Sequence, residues 1–379
     1  MFSILVIADD LTGAAEIAGI VLQSGLTAEV YNSLSEEDNF KSDVIILNSN
    51  TRSLTLEDVK NKIITIVDAV DFSVFNCIYL KFDSVLRGHI SAEIELYCNL
   101  LQHKIINFCP INPILNRSIK DSKYYIDEVL ISQTSFAQDP EFPVMHDDVL
   151  EILNNPNWHL CKVGKDFGTK GVTIWEASSE QDLVVLAGET YLNRINAGAS
   201  AYFKELLKLL LINNKIKINP INSEDFISSV DKSIITENTK LYVCGSTHQN
   251  SRKWLQARPE EFVIYWDGIN NNVVSYLIEK LKTHRTAILA FIDDVNEKAN
   301  VLRFNMAKVV ADLYSQSEIH ELNIEGGATA YEILKVLNIH KMRPVNVFQA
   351  GVIRMKVDNT ELYITLKPGS YSWNSHQDV

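Results

Sequence analysis

The chain alternates short apolar runs with segments whose apolar residues recur every three to four positions. Short runs rich in β-branched residues are typical of buried strands, and the 3.6-residue period is typical of amphipathic helices. In the first half this pattern predicts strands at 2–8, 28–31, 44–47, 77–81, 105–109 and 172–176. It predicts helices at 13–23, 56–70, 90–102, 180–197 and 200–211.

The second half repeats the alternation. We predict strands at 241–244, 262–266, 287–292 and 322–324, helices at 249–256, 273–284, 298–315 and 329–337, and a β-rich tail at 345–366. Strand–helix alternation favours parallel sheets with helices on both faces. Residues 110–150 contain four prolines and are predicted to be rich in loops.

A change of composition to Asn, Lys and Ser near 212–232 marks a connection between two domains. The predicted fold is therefore α/β with two domains, each a mainly parallel sheet flanked by helices, and an active site in the interdomain cleft. The expected boundaries are 1–215 for the first domain, 235–379 for the second and 216–234 for the linker.

The amino-acid composition limits the kinds of molecule that the protein is expected to bind. The 379 residues carry a formal charge of −13, which argues against a nucleic-acid partner because phosphate backbones require a basic surface. Five cysteines without a Cys-x-x-Cys pair fit a reducing compartment. There is no basic leader and no apolar run of about 18 residues. We expect a cytoplasmic protein that contacts no membrane and binds small molecules, and a homo-oligomer is compatible with the sequence.

Polar residues follow four predicted strands of the first half, at the strand ends where open parallel sheets bind ligands. They are Asp9, Asp10 and Thr12, then Arg52, then Asp83, Ser84, Arg87 and Gly88, and finally Arg117. The planar fork of arginine matches a carboxylate, so this set suits a small organic acid. Taken singly, Asp10 or Thr12 is better explained as a helix cap, and each arginine as a surface ion pair; only the recurrence of the pattern at four strand ends favours a site.

Three glycine turns of the second half follow predicted strands. They are Gly245-Ser246, Gly326-Gly327-Ala328-Thr329, and Lys367 with Gly369. Backbone amides at such turns can cradle an anion, although a plain tight turn explains each one about as well. Neither G-x-x-x-x-G-K-[ST] nor G-x-G-x-x-G occurs, which excludes the usual P-loop and dinucleotide sites. An acid pocket facing a phosphate cradle would need an aspartate base and a divalent metal.

Several of these segments resemble motifs of the four-carbon acid sugar kinases, formerly a domain of unknown function. The strongest likenesses are ADDLTGA at 8–14 and KFDSVLRG at 81–88, the latter similar to K-x-D-S-T-L-R-G. Weaker ones are NSNTRS, PINPILNR, SFAQDPEFPV, GSTHQNSRKWLQA, EGGATA and LKPGSYSW. The likenesses run in order over nearly the whole chain.

The resemblance implies that ATP, with Mg²⁺, phosphorylates the terminal hydroxyl of a tetronate-type sugar acid to its 4-phosphate. It implies that the first domain binds the acid and the second binds ATP. Catalysis and acid binding fall on Asp9, Asp10, Arg52, Asp83, Ser84 and Arg87, and nucleotide contacts fall on Ser246, Gly326 to Thr329 and Gly369.

Three positions depart from the family pattern, namely Val85 in place of Thr, Asn116 in place of Gly, and Ala328 in place of a polar or acidic residue. Val85 and Ala328 favour an alternative hypothesis, a catalytically degenerate acid-binding sensor of the same fold. An isomerase or hydrolase that uses only the acid pocket would leave the glycine turns without a role.

Overall fold

The computed structural model describes residues 3–35, 39–139, 141–164, 171–213, 238–246, 248–270, 272–292, 295, 297–369, 371 and 373. These residues divide into two compact units. Unit 1 contains the described residues of 1–17 and 35–218, and unit 2 contains those of 18–34 and 219–379. The division passes through the first helix, so an early segment of the chain belongs to unit 2. The predicted linker, 216–234, lies outside the described residues.

The strands of the described chain are, in order, β1 (Ile4–Ala8), β2 (Ala28–Tyr31), β3 (Val44–Asn48), β4 (Cys77–Lys81), β5 (Ile105–Cys109), β6 (Arg117–Lys120), β7 (Lys123–Ile126), β8 (Val129–Leu130), β9 (His159–Lys162), β10 (Gly171–Glu176), β11 (Ile195–Gly198), β12 (Lys240–Cys244), β13 (Val263–Trp266), β14 (Thr286–Phe291), β15 (Glu321–Glu325), β16 (Lys341–Gln349), β17 (Val352–Val357) and β18 (Tyr363–Lys367). The α-helices are α1 (Leu11–Gln23), α2 (Leu56–Ala69), α3 (Ile90–Leu100), α4 (Val149–Ile152), α5 (Glu180–Thr190), α6 (Ser200–Ile212), α7 (Gln249–Gln256), α8 (Val273–His284), α9 (Ala299–Gln316) and α10 (Gly327–Val336).

The main sheet of unit 1 is parallel over its described strands, in the order β3-β1-β4-β11-β5-β10-β9. Every residue of β1 is buried, as expected for a strand covered on both faces. Ala8 pairs with Asn48 of β3 on one side and with Lys81 of β4 on the other. The three strands therefore end at the same level, and the residues that follow them share one edge of the sheet.

Local sequence sets where the helices of unit 1 begin. Thr55 caps α2 by accepting a hydrogen bond from the Asp58 amide. Ser179 and Asp182 form a reciprocal capping box at the start of α5. Such caps satisfy amides that have no partner within the helix.

The sheet of unit 2 has the described order β13-β14-β12-β15-β18-β17-β16-β2. The pairs from β13 to β18 are parallel, and the pairs from β18 to β2 are antiparallel. Cys244 pairs with Glu325, and Glu325 pairs with Lys367. The three glycine turns that follow these residues consequently lie side by side at one edge.

The structure confirms the α/β class and the mainly parallel sheets, and it corrects one predicted helix. The helix predicted at 180–197 ends at Thr190, and Ile195–Gly198 forms the central strand β11. All four residues of β11 are buried, but the strand is too short for a clear period of its own. Residues 110–150 hold, besides loops, a three-stranded antiparallel sheet, β6-β7-β8. No helix of the described residues is long and apolar enough to cross a membrane.

Candidate functional site

Arg52 joins the two aspartates that follow β1. Its Nε and Nη2 donate hydrogen bonds of 2.8 and 2.7 Å to the two carboxylate oxygens of Asp9. The same Nη2 donates to Oδ1 of Asp10 at 2.7 Å. The Arg52 amide also donates to the Asp9 carbonyl, so the loop after β3 is fixed to the end of β1 by both main chain and side chain.

Asp10 has two roles in this geometry. Its Oδ1 accepts a hydrogen bond from the Gly13 amide at 2.9 Å, and its Oδ2 accepts one from the Thr12 hydroxyl. Asp10 therefore caps α1, which is one of the two roles considered for it in the sequence analysis. Lys81 lies beside it, since a Cβ added to Gly13 would be 2.8 Å from Asp10 Oδ1 and 3.1 Å from Lys81 Nζ. Asp10 therefore caps α1 and also belongs, with Asp9, to the acidic cluster that Arg52 holds together.

The two aspartates differ in their ease of ionisation. Burial raises the pKa of Asp9, against the attraction of Arg52 and with the help of the Asp10 charge. Burial also opposes ionisation of Asp10, but Arg52, Lys81 and the bonds from Thr12 and Gly13 together hold its pKa below the ordinary value. Asp10 is therefore the more readily ionised of the two carboxylates.

A second ion pair, between Asp83 and Arg87, follows β4. Arg87 Nε donates to Asp83 Oδ2 at 2.7 Å and Nη2 donates to Oδ1 at 3.2 Å. Arg87 Nη1 reaches Asp139 at 3.1 Å. Burial opposes the charge on Asp83, but the Arg87 and Arg52 guanidiniums outweigh it and hold the pKa of Asp83 far below its usual range. Gly88 has φ +96°, and a Cβ there would lie 3.2 Å from Arg52 Cγ, so a side chain would crowd the two pairs.

Arg117 differs from the other two arginines. Its Nη1 donates to the Ser84 hydroxyl, and its Nε has no hydrogen-bond partner among the described residues. The guanidiniums of Arg117 and Arg87 each lie 5.7 Å from the centre of the Phe136 ring. Tyr124 donates to the Ser84 carbonyl and fixes that loop from the other side.

A cavity of about 330 Å³ adjoins this cluster, lined in part by Arg87, Gly88, Glu141, Phe142 and Met145. Unit 1 thus brings the sequence-predicted residues Asp9, Asp10, Thr12, Arg52, Asp83, Ser84, Arg87, Gly88 and Arg117 to one region. Sequence reasoning missed Asp139, Phe136 and Tyr124, which come from the 110–150 segment. It also missed Glu93, although Ile90, Glu93, Ile94 and Tyr97 follow the spacing of a buried helix face.

Unit 2 brings its glycine turns together. A Cβ added to Gly245 would lie 2.2 Å from Thr329 Oγ1, and one added to Gly369 would lie 2.8 Å from Ser246 Oγ. Gly326 has φ +97°, which disfavours any side chain, and α10 begins directly after it at Gly327. The edge therefore has space only for backbone and exposes the amides of a helix start, an arrangement that fits the phosphates of a nucleotide.

Lys367 is placed differently from its glycine neighbours. Its side chain is fully buried 3.2 Å from Glu325, and its ammonium donates to the carbonyls of Pro368 and Tyr371. Burial lowers the pKa of Lys367, and Glu325 acts in the opposite direction. Glu325 also accepts from Ser251 and from Trp373 Nε1. The cation therefore fixes the turn at Gly369 from within.

The three departures from the family pattern have clear locations. Val85 is fully buried, so it packs in the interior of unit 1. Asn116 adopts the left-handed conformation, with φ 51° and ψ 35°, which asparagine tolerates better than most residues. Ala328 lies half-buried in the first turn of α10. Within the described residues, no three His, Cys, Asp or Glu side chains are grouped as ligands of a metal ion.

Comparison with known proteins agrees with this geometry. Residues 4–164 match the family model of the sugar-binding N-terminal domain. A D-threonate kinase of Salmonella typhimurium is 27% identical over 150 residues, and a 3-oxo-tetronate kinase of Brucella melitensis is 23% identical over 155 residues. These matches support a relationship between the N-terminal part of the chain and the four-carbon acid sugar kinase family.

The extent of the likeness differs between sequence and fold. The two matches cover 39% and 40% of this chain, and the chain spans 36% of the length of each of these kinases. A crystal structure of a Haemophilus influenzae protein of the DUF1537 family has a TM-score of 0.70 and covers 97% of both chains at 18% identity. That second likeness shows that the fold of this DUF1537 protein is shared over nearly the whole chain.

Proposed function

We propose that this protein is an ATP-dependent kinase that transfers the γ-phosphoryl group to the terminal hydroxyl of a four-carbon sugar acid. The observation that carries the proposal is the meeting of Asp9, Asp10 and Asp83 with Arg52 and Arg87 at the ends of parallel strands. The names of the kinase relatives and the glycine-lined edge of unit 2 support it.

Arg117 is the arginine best suited to bind the carboxylate of the acid. Arg52 and Arg87 are already paired with carboxylates, whereas Arg117 has a hydroxyl partner and a free Nε within the described structure. A buried donor without a partner is costly, and an organic acid would supply the acceptor. Ser84 would then orient the same end of the substrate.

Asp10 is the candidate base for the substrate hydroxyl. Asp83 is held by two bonds from Arg87, and its pKa lies far below the usual range, so it accepts a proton less readily than Asp10, whose pKa is lowered less. Asp9 is almost fully buried, and both of its oxygens are taken by Arg52. Asp10 stays charged and is the more exposed of the adjacent pair. An aspartate of this kind accepts the hydroxyl proton as the phosphoryl group arrives.

The nucleotide phosphates would lie on the edge formed by Gly245, Ser246, Gly326, Gly327 and Gly369, with Ala328 and Thr329 in the first turn behind them. Mg²⁺ would neutralise phosphate oxygens and be carried chiefly by the nucleotide, as is usual for this ion. The family resemblance implies that the acid binds to the first domain and ATP to the second. We favour the kinase over the sensor because the named relatives are kinases and Asp9, Asp10, Asp83 and Arg87 are all present.

The test is an ADP-release assay with Mg²⁺ and ATP over a panel of D-threonate, D-erythronate and 3-oxo-tetronate. We expect turnover with one of these acids and a 4-phosphate product by mass spectrometry and ³¹P NMR. Arg117→Ala should raise the KM for that acid while leaving the KM for ATP unchanged, and Lys120→Ala, an exposed ion-pair residue on the same strand, is the matched control. Absence of turnover on every acid, together with absence of ATP binding by calorimetry, would refute the kinase.

A further inference from the structure

Glu93 is a buried carboxyl group that the proposed chemistry does not use. It lies in the first turn of α3 with 2% of its surface exposed. One of its oxygens accepts a hydrogen bond of 2.9 Å from the Thr51 hydroxyl. The other oxygen has no partner among the described residues, and neither does the buried hydroxyl of Tyr97, one turn further along the helix.

Glu93 is linked to the acidic cluster through the loop after β3. Thr51, which donates to it, directly precedes Arg52. The Thr51 hydroxyl is also 3.0 Å from the Ser49 hydroxyl, which donates to the carbonyl of Ala8 at 2.9 Å. A chain of hydrogen bonds therefore runs from Glu93, behind the Asp9–Arg52 ion pair, to the residue before Asp9.

Among the described residues, three ionisable groups interact electrostatically with Glu93. Asp9 lies at the end of β1, Arg52 in the loop after β3, and Tyr97 on the same helix. Burial raises the pKa of Glu93 to about 8, and the Asp9 charge acts in the same direction, while the Thr51 bond and Arg52 oppose them. The group is thus mainly a neutral acid at pH 7 and mainly a carboxylate at pH 9.

We propose that Glu93 is a positioning residue. As a neutral acid it leaves Arg52 bound to Asp9 and Asp10. When it ionises it competes for Arg52 and weakens binding of the acid substrate. The last step rests on the proposed kinase function, whereas the burial of a neutral Glu93 does not. Ionisation would place a third buried negative charge beside Asp9, where one guanidinium already serves two carboxylates. An anionic substrate would then meet a more negative pocket.

The first test measures thermal unfolding of wild type, Glu93→Gln and Glu95→Gln from pH 5 to 9.5. A carboxyl whose pKa is raised by folding favours the folded state when protonated, so wild type loses stability as the pH rises from the ordinary glutamate pKa towards 8. Glu93→Gln should lack this loss, and its Tm relative to wild type should rise through that window and then level. Glu95 lies two residues along the same helix and is exposed, so the Tm difference of Glu95→Gln should stay flat. A flat difference for Glu93→Gln would overturn the proposal.

Thr51→Val provides a second test of the proposal if Glu93→Gln does not fold. Removing the donated bond raises the pKa of Glu93 further, so this variant should keep losing stability to a higher pH than wild type does. Identical pH dependence of Thr51→Val and wild type would contradict the role of Glu93.

The second test is the KM for D-threonate at saturating MgATP. In wild type it should rise several-fold from pH 7 to pH 9 with little change in kcat, and in Glu93→Gln it should be independent of pH. Parallel profiles in both proteins would overturn the positioning role. If no sugar acid reacts at any pH, the proposed function fails, and the unfolding experiments still decide the state of Glu93.

Discussion

Arg52 holds Asp9 in a two-pronged ion pair, with its Nε and Nη2 at 2.8 and 2.7 Å from the two carboxylate oxygens. Both groups are shielded from water, since the side chain of Asp9 is 1% exposed and that of Arg52 is 15% exposed. In such surroundings the loss of one partner leaves a buried charge without compensation. The pair therefore links the stability of unit 1 to the geometry of its candidate site.

Arg52→Ala is expected to destabilise the protein by about 3–5 kcal/mol, because it strands Asp9 and removes a donor from Asp10. Urea unfolding at pH 7 measures the loss. Arg52→Lys keeps the charge but cannot reproduce the two-pronged bond, so its stability should lie between those of wild type and Arg52→Ala. A loss below about 1 kcal/mol for Arg52→Ala would show that water reaches the pair.

Asp10→Asn separates the two roles of Asp10. Asparagine caps helices as well as aspartate does, so the start of α1 should survive and Tm should change little. If Asp10 is the base, kcat should fall by about 10²–10⁴-fold with a small change in KM. The matched control is Asp148→Asn at the cap of α4, which should leave kcat unchanged. A normal kcat for Asp10→Asn would leave Asp10 as a cap alone.

Asp83 should make the protein sensitive to acid. Its pKa is lowered in the folded state, so the stabilisation is complete above the unfolded value of about 3.8 and is lost as the pH falls below it. Wild type should therefore lose Tm more steeply than Asp83→Asn between pH 4 and pH 2.5. Equal slopes in a pH series of melting curves would contradict the ion pair with Arg87.

Gly326→Ala should weaken ATP binding and spare the acid site. At φ +97° a side chain costs about 1–3 kcal/mol of backbone strain, and relief of that strain would distort the start of α10. Isothermal titration with ATP and, separately, with D-threonate measures both sites. Gly171→Ala has a similar positive φ but meets nothing within 4 Å, so it should bind ATP normally. Unchanged ATP affinity in Gly326→Ala would remove this turn from the nucleotide site.

Lys367→Met should destabilise unit 2 by about 3–5 kcal/mol, because Glu325 would remain buried and unpaired. The double variant Glu325→Gln/Lys367→Met removes both charges and should recover most of the loss. Denaturant unfolding of the single and double variants measures the coupling. Additive losses would show that the two side chains do not interact.

The sequence predicts the sheet edge of unit 1 well because its strands are covered on both faces. A strand of that kind is a continuous apolar run, and the polar residues that end it, such as Asp9 and Asp83, mark the edge directly. Phe136 and Asp139 lie in SFAQDPEFPV, which only the family resemblance singles out, because a loop that reaches the site through tertiary contacts leaves no period in the sequence. Lys367 illustrates a second limit of prediction from sequence. A lysine beside a glycine turn is expected to be an exposed cation, and only the structure shows that it is buried.

The division of the chain into units has a consequence for dissecting it. Tyr31 and Val30 of β2 pair with Lys341 and Met342 of β16, so the sheet of unit 2 takes in a strand from near the N-terminus. A fragment that starts at residue 235 would lack that strand and expose the edge of β16. Recombinant halves of this protein should therefore be designed as circular permutants or co-expressed pairs. A chimera that takes the C-terminal half from a relative must also take residues 18–34 from that relative.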